Sequence, residues 1–208
     1  MTTATKGETL DRVVLPANPS EQEYFGVRVA GLVRLALPLT DVQSVLRIGS
    51  QEICPIPGIP AHVLGVINQR GALVWVLDLS QFLELAQRPT PSGSSFLAVV
   101  LQMRGQAASE EHHHLYRVAC LVSELEGIHR LDEQRFDPLP QELRPAWREI
   151  FRGLSLQTLS PASPKGSKKT APPSALPPKV RVAVLHPPAL FRTLGLRDPL
   201  PANLHSLS

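Results

Sequence analysis

The sequence predicts an all-β chain of small barrels or a sandwich, and three observations carry that prediction. Short apolar or alternating runs recur along the chain, with Gly and Pro separating them at close intervals. Two of the runs echo one another. Val74 to Asp78 leads into Phe82-Leu83, and Val182 to His186 leads into Leu190-Phe191, each a buried strand, a break and a short apolar helix. Two similar units are therefore expected. Finally, strands do not alternate regularly with long helices, which counts against a nucleotide-binding α/β sheet.

Composition narrows the class. The 208 residues are 43% hydrophobic and 19% charged, the latter below the roughly 25% usual for soluble chains, so a sizeable core is expected. Apolar runs reach only six residues (Ala72 to Leu77, Phe96 to Leu101), against the roughly 20 that span a bilayer. No direct membrane insertion is expected. Met1 to Asp11 is polar and carries no signal-peptide pattern. Two cysteines, Cys54 and Cys120, cannot make a disulfide framework, so a cytoplasmic address is expected.

Proline is over-used, at 21 residues, about twice the usual share of roughly 5%. Six prolines fall between Pro161 and Pro178, beside Lys165, Lys168, Lys169 and Lys179, four of the five lysines. Removing those four charges takes the net charge from +3 to −1. The basic pI belongs to a linker over 160–179 and not to a binding face.

Taken in order, residues 1–22 read as a loose leader, with Asn18-Pro19-Ser20 as turn chemistry. Tyr24 to Ala30 alternates and Gly31 allows reversal into Leu32 to Leu37, a hairpin. Thr40 is placed to cap a short helical turn carrying Val42, Val45 and Leu46 on one face. Pro55, Pro57, Gly58 and Pro60 demand a shaped loop. Leu64 to Asn68 and the valine-rich run Ala72 to Leu79 read as strands about a turn at Gln69-Arg70-Gly71, the second covered on both faces. Ser80 to Leu85 closes the unit as one or two helical turns, and Arg88 to Ser95 is a connector. Phe96 to Met103 and Leu115 to Val122 are strands around the polar loop Arg104 to His114, with Glu126 to Leu131 following. Gln141 to Phe151 is the strongest helix pattern, with Leu143, Trp147, Ile150 and Phe151 near one face. Val180 to Leu185 is a last strand, and Leu190, Phe191 and Leu194 form a short helical stripe; 196–208 is a flexible tail.

Motifs for catalysis are absent: there is no GxSxG, HExxH, P-loop, GxGxxG or CxxC. No cofactor is expected. His112-His113-His114 could hold a metal loosely, yet three adjacent histidines on one loop cannot all face one tetrahedral centre, and a solvated loop is the simpler reading. A metal-dependent enzyme built on that loop is the alternative from another class. Cys54 and Cys120 read as core packing. Asp78, ending a buried strand, reads as the cap of the following turn. Without interleaved aromatics, the linker lysines could bind nucleic acid only weakly and salt-dependently, so no nucleic-acid partner is expected. Gly71 permits a positive φ and so a tight turn, which would push Arg70 outward at a rigid strand end, where a guanidinium can grip a partner carboxylate or carbonyl. Turn chemistry alone favours the plainer reading, an ordinary hairpin with a solvated arginine.

Four stretches in order carry a family resemblance. They are Val42-Gln43-Ser44-Val45-Leu46; the proline-punctuated loop Cys54 to Pro60; Gly65-Val66-Ile67-Asn68-Gln69-Arg70-Gly71; and the strand end Val76-Leu77-Asp78-Leu79. Together they resemble the CheW-like chemotaxis coupling proteins, whose pattern includes a Gly-x-x-Asn-x-Arg-Gly turn. Leu121 to Ile128 is similar to the family's second-half strand pair, and Val182 to Leu194 to its closing strand and helix, so the resemblance runs from about Tyr24 to Gly195.

The resemblance implies two small SH3-like five-stranded barrels around a shared core, with short helices. The CheW-like domain would cover 23–195, with the first barrel at about 23–86 and the second at about 95–195. It further implies a non-enzymatic adaptor of a two-component motility pathway. Its partners would be the regulatory domain of a CheA-type histidine kinase and the cytoplasmic tip of a methyl-accepting receptor. By motif position, partner contact falls on Val45, Asn68, Arg70 and Gly71. Trp75 stands where many members have proline, Ser123 and His186 replace acids common at their positions, and the proline-lysine linker looks like an insertion. Trp75 and the Leu-Phe ending are also similar to variants from pilus-motility or phototaxis systems. A barrel module with some other protein partner is the remaining alternative.

Overall fold

The computed structural model describes residues 20–31, 33–86, 95–104, 115–158 and 179–195. Of the leader expected over 1–22, residues 1–19 lie outside the described residues, as do most of the linker (159–178), the loop 105–114 with its histidines and the tail 196–208, whereas Glu21 and Gln22 already belong to the first strand.

Among the described residues, ten strands form two sheets. They are β1 (Glu21–Val29), β2 (Val33–Pro38), β3 (Val42–Gly49), β4 (Val63–Gln69), β5 (Ala72–Asp78), β6 (Ser95–Arg104), β7 (Leu115–Val122), β8 (Glu124–Asp132), β9 (Phe151–Thr158) and β10 (Lys179–Leu185). Three short helices accompany them: α1 (Leu79–Phe82), α2 (Pro145–Ile150) and α3 (Pro187–Thr193). No described helix is long and apolar enough to cross a membrane.

The strand orders are β8-β1-β2-β10-β9 and β3-β6-β7-β5-β4. The two sheets are copies of one plan. In each, the third and fourth strands run parallel, β2 with β10 and β7 with β5, and the other pairs run antiparallel. In each, the chain leaving the first strand in the order makes an isolated bridge to the last, Cys54 to Val66 and Asp137 to Leu154. That bridge rolls the sheet into a small barrel.

The barrels do not divide the chain at 23–86 and 95–195. The hairpin β1–β2 joins β8, β9 and β10, while β6 and β7 join β3, β4 and β5. A parallel neighbour cannot follow through a short turn. Pro38 is separated from β3 only by the 3-10 turn Leu39–Asp41, so the chain passes into the other barrel instead. Each half of the sequence thus lends two strands to one barrel and three to the other. The echo between Val74–Asp78 and Val182–His186 falls on equivalent strands, β5 and β10.

This exchange explains the core. The largest cluster lies between the sheets and draws Val27, Leu35 and Leu37 from one, Val99, Leu101 and Val118 from the other, with Ile150, Leu190 and Phe191 from the helices. Each barrel keeps its own interior cluster, one with Ile67, Val74 and Val100 and one with Tyr24, Ala36 and Val184. Cys120 is buried in the shared core and burial pushes its thiol up to about 12. Cys54 is exposed on the proline loop, against the expectation of core packing.

Three local expectations change. Val42, Val45 and Leu46 lie on strand β3, not on a helical face; residues 44, 46 and 48 are covered while 43, 45 and 47 are exposed, which is strand alternation. The helix expected over Gln141–Phe151 is confined to Pro145–Ile150, because Pro145 fits only at a helix start. Phe151 opens β9, a strand whose sequence FRGLSLQT carries little β-branched signal.

Candidate functional site

The hairpin β4–β5 positions three of the four expected contact residues. Gln69 pairs with Ala72, leaving Arg70 and Gly71 as a two-residue loop. Their φ angles, +52° and +82°, are both left-handed, the signature of a type I′ turn that matches the twist of the flanking strands. Asn68 Oδ1 accepts from the Gly71 N–H at 2.9 Å. The turn is thereby closed by a side chain as well as by the backbone. Arg70 is exposed at the tip and Gly71 has open space around it.

The base of the hairpin is fixed from both sides. On β4, Gly65 has φ +142° and sits against the backbone of the proline loop: a Cβ there would lie 2.1 Å from the carbonyl oxygen of Cys54. Only glycine admits the reciprocal Cys54–Val66 hydrogen bonds of 2.8 and 3.0 Å beside it. On β5, Asp78 is buried and caps α1, accepting from the N–H groups of Ser80 and Gln81 at 2.9 and 3.0 Å and from the Ser80 hydroxyl. The capping role expected of Asp78 is therefore the one it has. His62 accepts from the Asp78 N–H through its carbonyl and stacks edge-on against Phe82 at 5.1 Å. Burial lowers its imidazole pKa, against the pull of Asp78.

Val45 is not part of this turn. It lies on β3, at the opposite end of the strand order from β4, and is 39% exposed. Leu73 is the residue that sequence reasoning missed. It pairs with Asn68 across the hairpin and is 65% exposed. Its place in the run Ala72 to Leu79 suggested burial on both faces, but a strand end projecting past its sheet neighbours is not covered. On the same face as Leu73, toward the barrel junction, Trp75 is half-buried against the shared core. It lines a small apolar cavity of about 80 Å³ with Ile59, Pro60, Val63 and Leu194. The site therefore offers one cation, one amide and an apolar strip on a rigid support.

The other departures are equally local. Ser123 accepts from the Gly31 N–H at 3.2 Å through its hydroxyl. His186 precedes α3 without capping it through its side chain. Among the described residues no group of His, Cys, Asp and Glu could hold a metal.

The CheW-like domain profile matches residues 23–158. Protein FrzA of Myxococcus xanthus is 41% identical over 73 residues, 35% of this chain and 44% of FrzA, so the match spans less than half of that protein. The probable chemotaxis protein CheW of Rhizobium etli is 27% identical over 124 residues, 52% of this chain and 72% of the relative. The crystal structure of the scaffolding protein TtCheW from Thermoanaerobacter tengcongensis superposes with a TM-score of 0.52 at 16% identity, covering 79% of this chain and 88% of that one. That likeness shows the fold, two SH3-like five-stranded barrels around a shared core, as the family resemblance implied. Members of the family are non-enzymatic adaptors. With the profile matched across the hairpin and most of both barrels, the chain belongs to the CheW-like domain family.

Proposed function

We propose that this chain is a cytoplasmic, non-enzymatic adaptor that couples sensory receptors to a CheA-type histidine kinase, with the β4–β5 hairpin as a principal contact. The observation that carries the reading is the tip itself. A type I′ turn holds Arg70 outward on a backbone that glycine at 65, the Asn68 amide and the Asp78 cap together make rigid. Beside it Leu73 is exposed and unsupported. An exposed guanidinium next to exposed apolar surface suits a protein interface, where arginine is enriched among the residues that carry the affinity and the buried centre is apolar. Val45, exposed on β3 of the same barrel, is a second contact.

In this scheme the signal passes through how firmly the kinase is held, and no covalent step occurs on this chain. The test is affinity capture from source-cell lysate with wild type and Arg70→Glu side by side. The reading expects a histidine kinase or a receptor with wild type and its loss with Arg70→Glu. Equal recovery by both baits would remove Arg70 from the contact, and recovery of no signalling protein by wild type would remove the adaptor role.

A further inference from the structure

The two barrels give an internal comparison. Gly65 opposite Val76 and Gly153 opposite Val184 mark equivalent points after a bulge in β4 and in β9. Following the pairing outward, Val118 corresponds to Leu35, so Arg117 corresponds to Arg34 and its partner Gln102 to Arg28. One strand further, the bulged residue is Gln43 on β3 and Glu126 on β8.

In one barrel this trio forms a closed ion network. Glu126 Oε1 accepts from Arg34 Nε at 2.8 Å and from Arg28 Nε and Nη2 at 3.1 and 2.6 Å. In the other barrel glutamine stands at the place of the glutamate. Arg117 Nε is buried with no hydrogen-bond partner among the described residues, and Ser44 Oγ is in the same condition. Alternation turns both side chains inward, since Ala119, two residues past Arg117, and Val100, opposite Ser44, belong to the interior cluster. Asp41, two residues before Gln43, interacts with Arg152 and His186 instead.

A guanidinium N–H withdrawn from water without an acceptor is costly, and its natural acceptor is a carboxylate. We propose that the mouth of the β3–β7 barrel is a carboxylate-binding site. There Arg117 and Ser44 take, from outside the chain, the carboxylate that Glu126 gives Arg34 in the other barrel. The carboxylate is carried by an Asp or Glu of a docked protein or by a free organic acid. Because β5 runs parallel to β7, the Arg70 turn rims the same end of the barrel. A protein gripping the hairpin would bring its acid to this mouth. The site does not depend on the adaptor reading, since acetate alone can probe it.

The experiment records the arginine Nε–Hε signals of the full-length protein by NMR, titrating sodium acetate against sodium chloride at equal ionic strength. Arg117→Lys identifies the Arg117 signal, and Arg34, already bonded to Glu126, serves as the internal reference. Acetate should move the Arg117 signal saturably while Arg34 stays still. Ser44→Ala should raise the midpoint about five-fold, and Gln43→Glu, which rebuilds the network of the other barrel, should abolish the response. A midpoint near or below about 1 mM supports a free acid as the ligand, and a much weaker one supports a carboxylate delivered on a protein at high local concentration. No response, or an equal response to chloride, overturns the proposal. So does a change of the acetate-free Arg117 signal in a Glu110→Gln, Glu111→Gln double variant, because the chain would then supply its own carboxylate.

Discussion

Asn68 and Gly71 are joined by a 2.9 Å hydrogen bond from the glycine N–H to the asparagine side chain, and this bond fixes the direction in which Arg70, between them, leaves the barrel. The Asn-x-Arg-Gly sequence is thus a mechanical unit. Asparagine closes the turn, glycine takes the second left-handed position, and arginine occupies the first at some cost.

That cost is measurable. A non-glycine residue in the left-handed region is strained by about 1 kcal/mol or more, and asparagine tolerates it better. Arg70→Asn should therefore raise stability by about 0.5–1 kcal/mol, or about 2–4 °C in Tm at the upper figure, while weakening partner binding. Calorimetry and a binding assay on the same preparation check both halves. A variant neither more stable nor weaker in binding would mean the strain has no functional counterpart.

Gly65→Ala should be among the most damaging single changes in the chain. Its Cβ would meet the Cys54 carbonyl oxygen at 2.1 Å, and φ +142° is closed to other residues. Relieving the overlap means detaching the proline loop from β4, at about 3 kcal/mol or more. Denaturant unfolding of the variant gives the number.

The hairpin was legible because its chemistry is local: two apolar runs, a turn sequence and a glycine at the right offset. The fate of β3 was not, since Val42, Val45 and Leu46 satisfy a helical spacing by coincidence while the full stretch 42–49 alternates as a strand. The exchange of strands between barrels lay beyond any local signal. Nothing in β1 or β2 records that their partners lie in residues 124–185, and only the echo between β5 and β10 pointed to a duplicated plan. Of the expected contact residues, turn chemistry brought Asn68, Arg70 and Gly71 together. Leu73 was hidden by an apolar run whose first residues extend past the cover of the neighbouring strands.

Asp78→Ala tests the lower support of the hairpin. It removes the cap from α1 and leaves the buried Ser80 hydroxyl without its acceptor, a loss of about 1–2 kcal/mol. Partner affinity should also fall when binding is compared below the variant's melting range, because the cap is one of the supports of the Arg70 turn; an unchanged Kd there would remove the cap from the binding role.

Glu126 makes part of the acid sensitivity. Burial alone would raise its carboxyl, but hydrogen bonds and charge from Arg34 and Arg28 outweigh that and hold it below the ordinary 4.5. Ionised Glu126 therefore stabilises the fold above the ordinary value, and the contribution is lost as pH falls through the depressed folded value. Glu126→Gln should be less stable at neutral pH and should show a shallower stability loss on acidification below about pH 4.5. Unfolding midpoints of both proteins at a series of pH values check this; parallel curves would remove Glu126 as a source.

The adaptor role proposed above rests on Arg70, on its rigid turn, contacting a signalling partner. The direct measurement is a calorimetric titration of purified CheA-type regulatory domain into wild type and Arg70→Glu, both confirmed folded by their melting temperatures. Wild type should bind saturably, and Arg70→Glu should show at least a ten-fold weaker Kd, about 1.4 kcal/mol or more. Wild-type binding with an unchanged Kd in Arg70→Glu would contradict that contact.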